Sequence, residues 1–366
     1  MNILFATPYK QGSGGIVQWA QHIMSHYATA KTGVNIDILA MNDPKGEDPS
    51  LNKTLSYRVR YGIRTYSLAI KNLMDMLKKK KYDILHIASS ASLSLIKDII
   101  MMCIAKRNGI KVVLHFHFGR IPELARLNNW EWKLLKRAVK ISSKTIVLDQ
   151  QSHKALIDNG LPNVSIISNP LSPNVVHIIN NNKTTKREDN LILFVGHCVK
   201  TKGVYELVEA CKEIPNVKLI LLGTITDNVK EDLINIAESK LNLNIEGQQP
   251  YEYVIKQMMA CDIFVLPTYT EGFPNVIIES MACGCPIITT PVGAIPEMLN
   301  SDDMGDYGLM VEPKNVGQLK KAIEKMLYDK EFKQNCGANA KKRVFERYNI
   351  DIVWTQMVKV WQQLMI

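Results

Sequence analysis

Two glutamates lie eight positions apart in EGFPNVIIE, residues 271–279, with a glycine, a phenylalanine, a proline and an apolar run between them. A carboxylate accepts two hydroxyl hydrogens at once, so acids in this setting suit a neutral, hydroxyl-rich ligand rather than a phosphate. The preceding DIFVLP reads as an apolar strand and Pro267–Thr270 as a loop. Pro274 fits the first position of a helix, where its missing N–H costs nothing. The next amides, those of Asn275 and Val276, would then be placed to meet an anion. Glu279 follows Asn275 by four residues, on the same helix face and about 6 Å along the axis. Glu271 sits before the helix, on the other side of those amides. Hydroxyls at both ends with a diphosphate between them is the layout of a sugar nucleotide. The plainer alternative is an exposed acid interacting with the helix dipole, and the apolar run Val276-Ile277-Ile278 argues against that exposure.

Two further strand–loop–helix passages could hold phosphate. In LILFVGHCVKTKGVYELVEA a strand ends at Gly196, the loop carries His197, Lys200 and Lys202, and Gly203 leads into a helix. A lysine beside a helix start adds a full charge to the partial charge of the helix end; a solvated basic turn is the alternative. In NILFATPYKQGSGGIVQWAQ a strand runs into Gly12, Gly14 and Gly15 and then a helix. Glycines let backbone amides approach a ligand, but this spacing is not the dinucleotide fingerprint. No metal site is expected. Asp302, Asp303 and Asp306 in SDDMGD read as a surface turn, and Cys283-x-Cys285 lacks the spacing usual for zinc.

Stepping outward from these loops, the elements that must carry them alternate in type. NILFAT, NIDILA, DILHIA, KVVLHFH, KTIVL and NVSIIS read as short buried strands in the first half, and LILFVG, VKLILLG, LNIEG, DIFVLP, PIITT and YGLMV do so in the second. Helical stretches separate them. Such alternation predicts two doubly wound, Rossmann-like α/β domains with parallel sheets. The expected division is residues 1–170 and 171–349, near SNPLSPNVV and the polar NNNKTTKREDN. A last amphipathic helix, 350–366, places Trp354, Met357, Val360 and Trp361 on one face and is expected to return to the first domain. The chain of 366 residues suits two cores.

Composition is that of a folded protein, at 46% hydrophobic and 22% charged residues. No apolar run reaches the roughly 18 residues a membrane-spanning helix needs. SLSLIKDIIMMCIA comes nearest and is broken by Lys97 and Asp98. MNILFATP reads directly as a strand, without a leader. The seven cysteines are odd in number and scattered, which suits reduced, buried thiols in a cytoplasmic protein. Residues 1–170 hold 24 Lys+Arg against 11 Asp+Glu, whereas residues 171–366 hold 21 against 24, so the net +10 resides in the first half. WEWKLLKRAVK, residues 130–140, sets Lys133, Lys136, Arg137 and Lys140 on one helix face, and Lys78–Lys81 end another helix. Basic faces near tryptophan suit an anionic membrane surface, with simple solvation as the alternative. Nucleic acid is not expected as a partner, because no recognition motif accompanies the charge.

EGFPNVIIESMACGCPIITTPVGAIPEML resembles the donor-site core of family 4 glycosyltransferases, retaining enzymes of the GT-B fold that act in bacterial cell-surface polysaccharide synthesis. FVGHCVKTKG resembles that family's phosphate loop, and the GSGG loop fits its N-terminal domain. The resemblance spans nearly the whole chain, and its C-terminal thirty residues are the specific part. It implies two domains facing a cleft that closes on the substrates, with the acceptor on the N-terminal side. It implies Glu279 on the nucleotide ribose and Glu271 on the transferred sugar and its phosphate, with the backbone of Gly272, Phe273, Asn275 and Val276 between. It implies Lys202 on the diphosphate, Gly14 and Gly15 approaching the donor, and Gln249 in the loop that meets the base. His117, of the pair in VLHFHFG, takes the position of the family's histidine; His115 is expected on the opposite strand face and is set aside. One position departs: the family usually has arginine where His197 stands, which removes a bidentate clamp on the diphosphate. The implied reaction moves a sugar from a nucleotide diphosphate sugar, a UDP-sugar, to a hydroxyl of a glycan or lipid-linked acceptor. It needs no cofactor and no metal. The implied place is cytoplasmic, peripheral at the inner face of the cell membrane. A sugar-nucleotide epimerase or a phosphorylase shares the fold and is the alternative.

Overall fold

Strands buried on both faces need apolar residues at nearly every position, and most of the twelve strands among the described residues are of this kind, the edge strands being only partly buried. The structure, a computed structural model, describes residues 1–9, 15–30, 33–42, 54–299 and 306–366. Gly12, Gly14, Asp302 and Asp303 therefore lie outside the described residues. The chain divides into two compact units, Met1–Pro170 with Ile350–Ile366, and Leu171–Asn349.

The first unit contains β1 (Asn2–Thr7), α1 (Gly15–Tyr27), β2 (Asn35–Ala40), α2 (Leu55–Lys79), β3 (Ile84–Ser89), α3 (Ser94–Arg107), β4 (Lys111–Phe116), α4 (Ile121–Leu127), α5 (Trp130–Ile141), β5 (Lys144–Val147), α6 (Gln150–Asp158) and β6 (Val164–Ile166). Its six parallel strands run in the order β2-β1-β3-β4-β5-β6. One apolar cluster joins this sheet to α2, α3, α4, α5 and α6. The other lies on the opposite side, against α1 and the final helix of the chain, where Trp354, Met357, Val360 and Trp361 are all buried. Two histidines are among the polar side chains that interrupt the apolar strands: His86 in β3 and His115 in β4 are both fully buried.

The second unit contains α7 (Pro173–Asn181), β7 (Leu191–Val195), α8 (Val204–Lys212), β8 (Lys218–Leu222), α9 (Asp227–Ala237), β9 (Asn242–Gly247), α10 (Tyr251–Ala260), β10 (Ile263–Leu266), α11 (Asn275–Ala282), β11 (Ile287–Thr289), α12 (Ile295–Leu299), β12 (Leu309–Met310), α13 (Val316–Tyr328) and α14 (Lys330–Arg347); α15 (Ile350–Gln363) then belongs to the first unit. Its six parallel strands run β12-β11-β10-β7-β8-β9. The order reverses between β7 and β10, and ligands of open parallel sheets bind at such a switch, beyond the carboxyl ends of the strands. The loop with Lys202 follows β7, and the loop with Glu271 follows β10. The seven cysteines are free thiols, six of them buried. No helix among the described residues is long and apolar enough to cross a membrane.

Candidate functional site

In the second unit, three loops at the carboxyl ends of the strands lock together through their backbones. Gly203 ends the short 3-10 turn Lys200–Lys202 with φ of 71°, and a Cβ there would lie 2.0 Å from the Pro267 carbonyl oxygen. Only glycine tolerates both that conformation and that approach. The Thr201 carbonyl accepts from the Tyr269 amide at 2.9 Å, so the loops after β7 and β10 run side by side. The consequence is an ion pair: Lys202 Nζ stands 2.5 Å from Glu271 Oε1, with both side chains largely shielded. The loop after β11 closes the other side. The Ala294 amide donates to the Gly272 carbonyl at 2.9 Å, and a Cβ on Gly293 would lie 2.4 Å from the Glu271 carbonyl oxygen. The PVGAIPE segment therefore holds the EGF segment in place.

Pro274 does not open the helix, as its ring had suggested; it is the capping residue before Asn275, with extended φ and ψ of −74° and 103°. The Ile277 amide donates to the Pro274 carbonyl at 3.0 Å. The amides of Asn275 and Val276 thus precede the first helical hydrogen bond and stand at the positive end of α11. Phe273 turns its ring to Tyr348, with centroids 5.7 Å apart. Glu279 is buried, at 9% exposure, and accepts from the Tyr251 hydroxyl at 2.7 Å. Burial pushes its carboxyl above the usual carboxylate range, while the Tyr251 hydrogen bond opposes that shift. Burial and the facing Glu279 raise the Tyr251 phenol in turn.

His197 is exposed beyond β7, and its Nδ1 shares a short hydrogen bond with the Thr224 hydroxyl of the loop after β8. It is thus tied to the neighbouring loop. Gln249 lies in the loop after β9, half-buried, and donates to the Glu246 carbonyl at 2.9 Å. Sequence reasoning passed over Tyr251 and Thr224. Tyr251 was within reach, two residues after Gln249 at a helix start. Nothing in the sequence pairs Thr224 with His197.

In the first unit, Gly15 opens α1, and a Cβ there would meet nothing within 4 Å. Packing inside the unit therefore does not require a glycine at that position. His117 follows β4 directly. The expectation for His115 was wrong: residues two apart on an extended chain project to the same side, and the His115 and His117 rings stack with centroids 4.4 Å apart. His115 is part of a buried chain of rings. Trp361 Nε1, on α15, donates to His86 Nδ1 at 2.9 Å, and His86 Nε2 lies 3.3 Å from His115 Nδ1. An indole N–H can only donate. His86, when neutral, thus carries its proton on Nε2 and donates a hydrogen bond to His115 Nδ1, which leaves the His115 proton on Nε2. Trp19 packs its ring 4.2 Å from His117. Burial lowers the His86 and His117 imidazoles to about 3 each, so His117 is a neutral hydrogen-bonding group near neutral pH. Among the described residues, no cluster of three or more His, Cys, Asp or Glu is arranged for a metal.

Two doubly wound parallel sheets, with a lysine, two acids and a helix start gathered at one switch point, define an α/β transferase of the GT-B class. Residues 13–175 match the family described as Glycosyltransferase Family 4, and residues 177–343 match Glycosyl transferases group 1. The two matches leave little of the chain uncovered, and the chain belongs to this glycosyltransferase family. It is 31% identical over 194 residues to the capsular polysaccharide biosynthesis glycosyltransferase CapM of Staphylococcus aureus, a match that takes in 50% of each chain. The chain spans only 50% to 63% of the length of three curated relatives it matches. In fold it is similar to sucrose-phosphate synthase from Thermosynechococcus elongatus, with a TM-score of 0.77 at 18% identity over 100% of this chain and 99% of that one. It is likewise similar to HepE from Anabaena, solved in complex with UDP and glucose, with a TM-score of 0.70 at 18% identity over 99% and 100% of the two chains.

Proposed function

We propose that the protein is a retaining glycosyltransferase that moves a sugar from a UDP-sugar to a hydroxyl of a glycan or lipid-linked acceptor in surface polysaccharide synthesis. The observation that carries this reading is the Lys202–Glu271 pair at the switch point, 2.5 Å apart, beside the start of the helix that carries buried Glu279. The nucleotide-binding solved neighbour HepE supports UDP, and the relative CapM supports a polysaccharide product.

In this reading the diphosphate takes Lys202 from Glu271, with His197 and the amides at the start of α11 as further donors. Glu271, released from the lysine, accepts hydroxyls of the moving sugar. Tyr251 fixes one oxygen of Glu279, and the carboxylate takes ribose hydroxyls. Gly272 and Phe273 contribute backbone to this segment, and Gln249 meets the base. The bond from the anomeric carbon to the phosphate oxygen breaks while the bond to the acceptor oxygen forms on the same face. The departing phosphate oxygen takes the acceptor proton. Developing negative charge on the diphosphate is thus met by preorganised donors, and no divalent cation is required. His117, neutral, and the side-chain-free start of α1 at Gly15 are the first unit's contributions. The basic first unit takes an anionic membrane surface as partner.

The test is product analysis with labelled UDP-sugars, with and without acceptor and with a chelator. Labelled product that requires acceptor, keeps the anomeric configuration and persists in chelator supports the reading. Donor turnover without acceptor would point to an epimerase or a hydrolytic side reaction instead.

A further inference from the structure

Helix α3 is built the wrong way round for a surface helix. Its charged pair, Lys97 and Asp98, faces inward: Asp98 is fully buried, 3.1 Å from Lys97 Nζ and 2.6 Å from the Ser89 hydroxyl. Its outward ridge is aliphatic. Leu93, just before the helix, and Ile96 and Ile100 are 58%, 47% and 42% exposed. Their spacing of three and four residues lines them along one face over about 10 Å. Sequence reading takes Lys97 and Asp98 as interrupting an apolar run; in the fold they leave that run's outer side uninterrupted.

The neighbours of this ridge supply charge predominantly of one sign. α3 packs between α2 and α5 on one side of the sheet. Across these three helices ten lysines and arginines are exposed among the described residues, against one acid with a largely exposed side chain, Asp75, which pairs with Lys78 at 3.9 Å. Arg64, Lys71 and Lys78 lie on α2, and Lys133, Arg137 and Lys140 on α5. Asp98 and Glu131 are held back. Glu131 accepts from the Ser92 hydroxyl and is only 13% exposed, whereas Trp130 beside it is 56% exposed.

We infer that the outer face of α2, α3 and α5 seats on an anionic lipid bilayer, with the Leu93–Ile96–Ile100 ridge and Trp130 entering the headgroup–acyl boundary and the flanking bases on lipid phosphates. This rests on the membrane partner proposed above and assigns it to one face. A solvated basic face does not need an aliphatic ridge, and an exposed apolar strip with polar rims marks an interaction surface. A single-stranded nucleic acid would be met by stacking aromatics, whereas this ridge is aliphatic apart from Trp130. Anionic lipid satisfies both the charge and the chain chemistry.

The test is flotation of the full chain with phosphatidylcholine vesicles, with and without phosphatidylglycerol, in the absence of donor and acceptor. Binding to the anionic vesicles alone is expected. The pair Ile96→Asn with Ile100→Asn, both on the outward ridge, should weaken it about tenfold while thermal unfolding and UDP-induced stabilisation stay unchanged. Lys133→Glu with Arg137→Glu should weaken it comparably and remove its salt sensitivity. Absent or lipid-indifferent binding, or ridge variants that bind as the parent does, overturns the inference. So does displacement from vesicles by single-stranded RNA that the ridge variants still bind. Because no sugar is transferred in this assay, a chain that floats normally yet shows no transferase activity would overturn the function reading alone.

Discussion

The two units share one architecture, six parallel strands with helices on both sides, yet they fix their chemistry by different means. In the second unit the functional groups stand on loops, and backbone contacts between loops set their positions. Gly203 against Pro267 and Gly293 against Glu271 bring the loops together, and the side chains of Lys202 and Glu271 then meet. In the first unit the polar groups lie inside the sheet, on β3 and β4, and are fixed by rings from other elements: Trp361, Trp19 and one another. Loop chemistry written in a continuous motif survives as sequence. Ring chemistry assembled from four separate elements does not.

This contrast can be broken most strongly at Lys202. Lys202→Ala should cut transfer about 10²- to 10³-fold, the scale for removing one preorganised donor to a developing anion, with little change in urea unfolding. Near-normal turnover would remove the second unit's ion pair from the reaction. Next is the backbone lock. Gly203→Ala imposes a side chain at φ of 71° and a contact 2.0 Å from a carbonyl oxygen, and should cost at least on the order of 1–3 kcal/mol in urea unfolding of the second unit. An unaffected midpoint would mean that the loops are not held together there.

The first unit should respond to pH instead. Burial holds His86 and His117 near 3, below the ordinary 6.5. Between those values the unfolded chain binds more protons than the folded one, so stability is full above about pH 6.5 and is lost as pH falls toward 3. The slope is up to about 1.4 kcal/mol per pH unit for each histidine. Histidine NMR should show both rings neutral at about pH 5 in the folded chain, a pH below their ordinary value; imidazolium signals from either would contradict the buried network. The smallest effect is expected at Tyr251→Phe. Loss of a hydrogen bond to a carboxylate of about 1.5 kcal/mol should weaken UDP binding roughly tenfold, with kcat nearly unchanged. A kcat loss with unchanged affinity would place Glu279 at the reacting centre.

Much of the donor half was legible beforehand because its parts are local. A turn, a proline beside a helix start and two acids occupy nine consecutive residues shortly after a strand, and short-range geometry fixes their order. The burial of Glu279 could be read from the three apolar residues before it. Strand–helix alternation likewise indicated two parallel sheets. The failures share a different cause. His115 lies on the same side as His117, as the two-residue period of a strand requires, but its partner His86 is 29 residues away. The tether of His197 to Thr224 crosses 27 residues. The inverted face of α3 was hidden because an apolar helix with two charges reads the same whichever side those charges take.

The sequence by itself determined the element types, their alternation, the acids flanking a helix start and the one-sided charge, because each follows from neighbouring residues and from composition. Tertiary structure alone decided that Lys202 meets Glu271, that Tyr251 holds Glu279, that Trp361 sets the proton positions of two buried histidines, and that α3 turns its aliphatic ridge outward. Each of those depends on which strands pair and which helix faces meet the sheet, and such long-range choices are set by burial of the whole core.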